Sequence, residues 1–247
     1  MDYKKVLVGI VLLLSFTFGN SQNFSIPKKK KTENKLVKRL TLPASIMLWS
    51  ALISGSDFEK DLQRDLRNQV GNDYYNNIDD YTRYVPFVQM YGADIFGVKA
   101  KNHWFDQTKN LAIAVVVNDF VTTRLKRLIK KRRPNGSDDY ESFPSGHTSL
   151  PFTGAGLLYQ EFKDTSPLLA YSGFGFAITT GTFRMVNNAH WLSDVMMSAG
   201  IGILITELIY YFDPIIKWNP FKNSKDRISL IPRIENGNYG VYFAMKF

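Results

Sequence analysis

The chain has 247 residues and a formal net charge of +9, with three histidines and no cysteine. That length suits one domain with a small appendage and can bury a core without cross-links. The absence of cysteine excludes disulfides, thiolate nucleophiles and Cys-based metal sites, and so few histidines argue against a multi-histidine metal centre. The basic balance suits an anionic partner: a phospholipid surface, a phosphorylated substrate or nucleic acid.

In chain order, Lys4 and Lys5 precede an apolar run from Val6 to Phe18, and Gly19-Asn20-Ser21 supplies small residues. Residues 1–21 therefore read as an export signal, with an uncleaved N-terminal anchor as the alternative. Residues 22–42 are polar and basic, with Lys28 to Lys31 consecutive, and read as a linker or lipid-surface arm. Apolar stretches follow at 44–53, 85–98, 111–121, 150–159, 167–186 and 195–216. The last two alone look long and apolar enough to span a bilayer. Between the first two, Ser56 to Arg83 is charged and shows helical spacing at Asp57, Asp61 and Asp65.

The expectation is an all-α fold: a helical bundle over residues 43–217, membrane-embedded or membrane-associated. A mean hydropathy of −0.18 keeps a soluble bundle with nearly buried helices as the alternative. Export also constrains topology. If the signal is cleaved, three spans ahead of Lys126 would put the first polar cluster on the inner side, so the first two apolar stretches cannot both be simple spans. The tail, 218–247, alternates apolar and polar residues on either side of Asn236-Gly237. It predicts a small C-terminal β-hairpin packed against the domain.

Three polar clusters carry the chemistry. The first is Lys126-x6-Arg133-Pro134, at the basic end of a helix expected over Leu111 to Lys131. Pro134 biases Arg133 out of helical conformation, and a spacing of about two turns lets Lys126 and Arg133 face one site. The second is Pro144-Ser145-Gly146-His147 ahead of an apolar helical run. Ser145 and Gly146 at a helix start leave N–H groups free for an anion, and His147 at that turn can protonate a departing oxygen. The third is Arg184-x5-His190-x3-Asp194. On a helix, His190 and Asp194 would share a face, so the carboxylate could orient the imidazole as a nucleophile, while Arg184 offers a fork for two phosphoryl oxygens. Singly, each cluster has a plain reading: a juxtamembrane basic patch, an N-cap before a surface histidine, a helix-surface His–Asp pair.

Together, in this order and spacing, the clusters resemble the type 2 phosphatidic acid phosphatase superfamily, which also holds bacterial class A acid phosphatases and vanadium haloperoxidases. The first two clusters match the family pattern fully. The third departs at Phe183, where a small residue is usual before the arginine. The resemblance covers roughly residues 78–211. It implies a helical-bundle phosphatase with no cofactor and no metal. In that reading His190 attacks phosphorus, Asp194 orients His190, and His147 protonates the leaving alcohol and then activates water. Lys126, Arg133, Ser145, Gly146 and Arg184 hold the phosphoryl oxygens.

The expected function is hydrolysis of a lipid phosphate or pyrophosphate at the cell envelope, with a periplasm-facing site and a phosphorylated lipid and the membrane as partners. A soluble periplasmic acid phosphatase is the alternative. A haloperoxidase suits longer chains, and a catalytically idle envelope protein would not need His147, His190 and Asp194. Nucleic-acid binding is disfavoured, because the basic residues crowd the first cluster and no reader motif is present.

Overall fold

The computed structural model describes residues 35–216, residue 219 and, by their backbone, residues 228–235 and 238–245. The proposed export signal and most of the basic linker lie outside the described residues. Eight helices occupy the described core: α1 Lys35–Ile53, α2 Asp57–Val70, α3 Ile78–Thr82, α4 Val85–Ile95, α5 Trp104–Ile129, α6 Gly146–Phe162, α7 Pro167–Val186 and α8 Leu192–Phe212. Two strands, β1 Ile228–Glu235 and β2 Asn238–Met245, pair antiparallel, with Ile228 opposite Met245 and Glu235 opposite Asn238. The Asn236-Gly237 turn and the packing of these strands lie outside what is described.

The centre of the bundle is α6, with thirteen of its 17 residues buried. Its sequence is apolar or small on all sides, as a helix surrounded by others requires. Helices α4, α5, α7 and α8 pack around it, and α1 lies along α8. Small residues permit this closeness. A Cβ on Gly200 would lie 2.4 Å from Met47 on α1, and one on Gly202 would lie 2.7 Å from the Thr153 backbone N on α6. The core joins Leu157, Leu158 and Phe162 of α6 to Met197, Ile201 and Ile205 of α8, with Met47, Met90 and Phe143.

Local sequence sets the ends of α2 and α5. Ser56 caps α2 by accepting the Glu59 N–H at 3.2 Å, and Asp57 and Glu59 complement the dipole in its first turn. Along α2 two polar rows diverge. Asp57, Asp61 and Asp65 face out, whereas Glu59, Gln63 and Arg67 are buried. Helix α5 begins seven residues before the apolar stretch that announces it and closes at Lys130, which adopts φ 49° as a left-handed cap.

The stretch 85–98 forms an eleven-residue helix, roughly 16 Å long and too short to cross a bilayer, as its length in the sequence implies. Two expectations need correction. Residues 35–42 are not linker but the first turns of α1, where Leu36, Val37, Leu40 and Leu42 precede Pro43. Among the described residues the helices long and apolar enough to cross a membrane are Leu36–Ile53 and Leu192–Phe212. Helix α7 is not one of them, because glycines, threonines and Arg184 dilute its apolar character.

Candidate active site

Antiparallel packing gathers the three clusters at one end of the bundle. The C-terminal part of α5, the N-terminus of α6, the C-terminus of α7 and the N-terminus of α8 meet there, with α3 and the start of α2 beside them. The loop after α5 folds back on itself: the Arg133 N–H donates to the Asp139 carbonyl at 3.2 Å, and the Ser142 N–H to the Lys131 carbonyl at 3.0 Å. This closed loop brings Ser142 against the third cluster.

His190 is 2% exposed. Its Nδ1 lies 2.8 Å from the Ser142 carbonyl oxygen and 3.5 Å from Asp194 Oδ2, and its Nε2 lies 3.3 Å from Arg133 Nη1. A carbonyl only accepts and a guanidinium only donates. Both contacts therefore demand one tautomer, with the proton on Nδ1 and the lone pair on Nε2. Burial pushes the imidazole down to about 4, opposed by Asp194 and reinforced by Arg133 and Arg184. The ring is neutral at ordinary pH, as a nucleophile must be.

The expected helical His190–Asp194 face is not what forms. His190 precedes α8, whose N-cap is Trp191, and Asp194 closes that helix end by accepting the Trp191 N–H at 2.9 Å. Asp194 also accepts from Ser142 Oγ on one oxygen and from Lys131 Nζ, at 3.0 Å, on the other. With its oxygens committed, the carboxylate approaches Nδ1 only as a second partner, and the Ser142 carbonyl takes the proton.

The cations surround this ring. Arg133 donates through Nε to Asp139 at 2.6 Å and through Nη1 to the Ala189 carbonyl at 3.0 Å. Since α5 ends at Ile129, the loop rather than two turns of helix places Arg133. Lys126 donates to the Glu141 carbonyl, and burial, then the Arg133 charge, push its ammonium below the usual value. An open cleft of about 540 Å³ lined by Lys126, Arg127, Lys130, Tyr140 and Glu141 lies alongside. Arg184 donates through Nη1 to Asp79 at 2.9 Å, while its buried Nε has no protein partner.

Ser145 is fully buried. Its Oγ accepts from Thr148 Oγ1 at 2.9 Å, which leaves its own proton to donate, and its backbone N–H reaches the Asp194 carbonyl at 3.3 Å. Gly146 opens α6, so its N–H belongs to the unsatisfied first turn of a helix, where anions are favoured. His147 follows on that turn. Its Nε2 lies 3.3 Å from Asp80, and its side chain is 36% exposed. Burial lowers its pKa, the nearby Arg184 and Arg83 charges act the same way, and Asp80 and Asp79 oppose them.

Five participants escape sequence reasoning: Glu59, Asp79, Asp80, Lys131 and Ser142. Asp79 and Asp80 sit in a five-residue helix, too short to show periodicity. Glu59 belongs to the buried polar row of α2 with Gln63 and Arg67, but the exposed row Asp57, Asp61 and Asp65 has the same i, i+4 spacing, so no local signal marks it.

The PAP2 superfamily family model matches residues 107–218. Lipid A 1-phosphatase of Porphyromonas gingivalis is 32% identical over 158 residues, 64% of this chain and 35% of that protein. Lipid A 1-phosphatase of Rhizobium etli is 30% identical over 117 residues, 40% of this chain and 49% of that protein. The chain thus spans about a third and about half of the length of these curated relatives. The crystal structure of Aquifex aeolicus LpxE is similar with a TM-score of 0.48 at 20% identity, over 64% of this chain and 98% of that one. Residues 107–218, the helical core that carries the three clusters, are thus similar to the PAP2 superfamily.

Proposed function

We propose that the chain is a metal-independent phosphatase that removes a phosphate from an envelope lipid through a phosphohistidine on His190. The observation that carries this reading is the fixed tautomer of His190, whose Nε2 lone pair is held on the side of Arg133. Substrate oxygens replace Nε2 as the acceptor of that guanidinium proton, and the freed lone pair attacks phosphorus. The bond to the alcohol oxygen breaks as that oxygen takes the His147 proton. His147 then takes a proton from water, the resulting hydroxide attacks the phosphohistidine, and the P–N bond breaks to release phosphate and neutral His190. Lys126, Arg133, Arg184, the Ser145 hydroxyl and the Gly146 amide meet the charge spread over the oxygens. Asp194 offsets the positive charge of the modified imidazole.

A lipid substrate is supported by the outward faces of the bundle. Trp49 and Leu52 of α1, Val88 and Ile95 of α4, and Val116 and Phe120 of α5 are exposed apolar side chains, as a helix facing acyl chains requires. The matching relatives are named lipid A 1-phosphatases, which favours a sugar phosphate of lipid A within the class. The protein is then membrane-associated, with its site at the periplasmic interface where a headgroup reaches Lys126 and His190 while its chains stay in lipid.

The test is phosphate release by purified protein in detergent micelles, with chelator present, from lipid A and from a soluble monoester. Preference for the lipid is expected. Equal activity on both substrates from detergent-free protein would establish the soluble acid phosphatase instead, and activity lost to chelator and restored by magnesium would overturn the metal-independent route. For sidedness, Asp138 is exposed on the loop beside Arg133 in a cysteine-free chain. Asp138→Cys should react with an impermeant thiol reagent in intact spheroplasts; labelling only after lysis would place the site inside.

A further inference from the structure

We propose that Arg83 binds the departing part of the substrate: its guanidinium holds a phosphate joined directly to the leaving oxygen, which makes a lipid diphosphate the substrate this site favours. The inference rests on the reading of His190 as nucleophile and His147 as acid.

In an in-line displacement the attacking and leaving atoms lie on opposite sides of phosphorus. With His190 Nε2 on one side, the leaving oxygen belongs beside His147. The wall on that side is α3, and α7 holds it in place. Thr82 Oγ1 meets Thr180 Oγ1 at 2.9 Å, Asp79 takes Arg184, and the Asn187 side-chain amide donates to Asp79 at 3.1 Å. Asp80 of α3 lies 3.3 Å from His147 Nε2. Arg83 follows Asp80 by three residues and keeps helical backbone angles at the end of α3, so the two share a face.

The Arg83 guanidinium stacks on the next side chain, with Cζ 4.6 Å from the centroid of the Tyr84 ring, and its Nη2 donates to the Tyr84 hydroxyl. Its buried Nε has no partner. Both carboxylates of α3 are taken, Asp79 by Arg184 and Asp80 by His147, and Arg83 forms no ion pair among the described residues. The charges acting on His147 are Arg184 and Arg83, opposed by Asp80 and Asp79. Those acting on His190 are Asp194, Arg133 and Arg184. Arg83 therefore belongs to the leaving-group side.

A cation beside a general acid makes its proton scarcer, a handicap when the leaving group is a plain alcohol. It helps when the leaving oxygen departs with negative charge. In a diphosphate, His190 Nε2 bonds to the terminal phosphorus, the bond from that phosphorus to the bridging oxygen breaks, and its electron pair leaves on a lipid monophosphate. Such a leaving group needs little protonation, and the guanidinium fork matches its oxygens. Water then releases the terminal phosphate from His190.

The experiment compares wild type, Arg83→Lys and Arg83→Met as the full chain in micelles. Three lipids with the same chains are used: a monophosphate, a diphosphate and one carrying two separate monophosphates. Wild type should show its highest kcat/KM on the diphosphate. Arg83→Met should lose about 10–10²-fold more on the diphosphate than on either other lipid, and Arg83→Lys, with the charge but not the fork, should fall between. With the cation gone, His147 keeps its proton more tightly, facing Arg184 of α7 and Asp79 and Asp80 of α3. The alkaline limb of kcat/KM on the monophosphate should then move to higher pH. Binding of the matching phosphonate lipids, which are not hydrolysed, should show the same selectivity. Equal losses on all three lipids would make Arg83 an interfacial anchor beside the exposed Tyr81 and Tyr84 and overturn the inference, as would a loss confined to the lipid with two monophosphates. Should Arg83→Met not fold, Arg83→Lys decides, and a wild-type diphosphate preference there overturns the fork. Arg83-dependent binding of the diphosphonate by a protein that hydrolyses none of these lipids would keep the subsite and refute the proposed function.

Discussion

His190 and His147 are both histidines of the candidate site, but their surroundings differ. His190 is buried and held by the Ser142 carbonyl, Asp194 and Arg133, with its backbone N–H on the Arg184 carbonyl. His147 is partly exposed on the first turn of α6, with Asp80 as its charged partner. Burial lowers the pKa of both, but only His190 is also locked into one tautomer. The contrast fits two tasks. A nucleophile must present a fixed, unprotonated lone pair, whereas an acid–base group must exchange protons with solvent and leaving group.

The largest effect should come from the buried side. His190→Ala should cut phosphate release by at least ~10³-fold on any substrate, with the helical circular-dichroism spectrum retained; near-wild-type turnover would sink the assignment. On the exposed side the loss should depend on the leaving group. His147→Ala should slow release of a poor alcohol by about 10²–10⁴-fold but that of nitrophenol far less. Equal losses would erase the difference in role.

The two surroundings also differ in how they couple to pH. For His190 the folded value, about 4, lies below the unfolded one near 6.5. The unfolded chain therefore binds the proton first. Its share of stability is fully present above about pH 6.5 and is lost as pH falls through about 4, on the order of 3 kcal/mol. Denaturation midpoints from pH 7 to 4 should fall more steeply in wild type than in His190→Gln, and parallel curves would contradict the burial argument. The smallest effect concerns Asp80, which is half exposed. Its anion favours protonated His147, so Asp80→Asn should move the alkaline limb of kcat/KM to lower pH and cost a few-fold in rate at neutral pH. An unmoved limb would show that Asp80 does not tune the acid.

Much of this site can be read from the chain. The order and spacing of Lys126, Arg133, Ser145, Gly146, His147, Arg184, His190 and Asp194 mark them as one group, and the fold does bring them to one end of the bundle. The apolar stretches locate most of the helices. Periodicity falters where the context decides which face is inside. In α2 the row Asp57, Asp61, Asp65 and the row Glu59, Gln63, Arg67 are both polar at helical spacing, and only the second is buried. Nothing local separates them, because the difference comes from partners far along the chain. Gln63 donates to the Met185 carbonyl, Arg67 to the Val186 carbonyl, and Glu59 receives Lys131.

The sequence by itself determined the residue types, their spacing and the helix-forming stretches, since capping groups, prolines and apolar runs act on the backbone within a few residues. The tertiary structure decided the partners. Four residues apart suggests a helical His190–Asp194 pair, yet the chain enters α8 only after His190, and Asp194 closes the helix end. The proton on Nδ1 goes to a carbonyl brought in by the loop from Lys131 to Ser142. Arg184, read as a free fork, is anchored by Asp79 from a helix about a hundred residues earlier. A tautomer, a buried charge chain and an ion pair across the bundle depend on which groups are left without water when helices close together, and that is settled only by their packing.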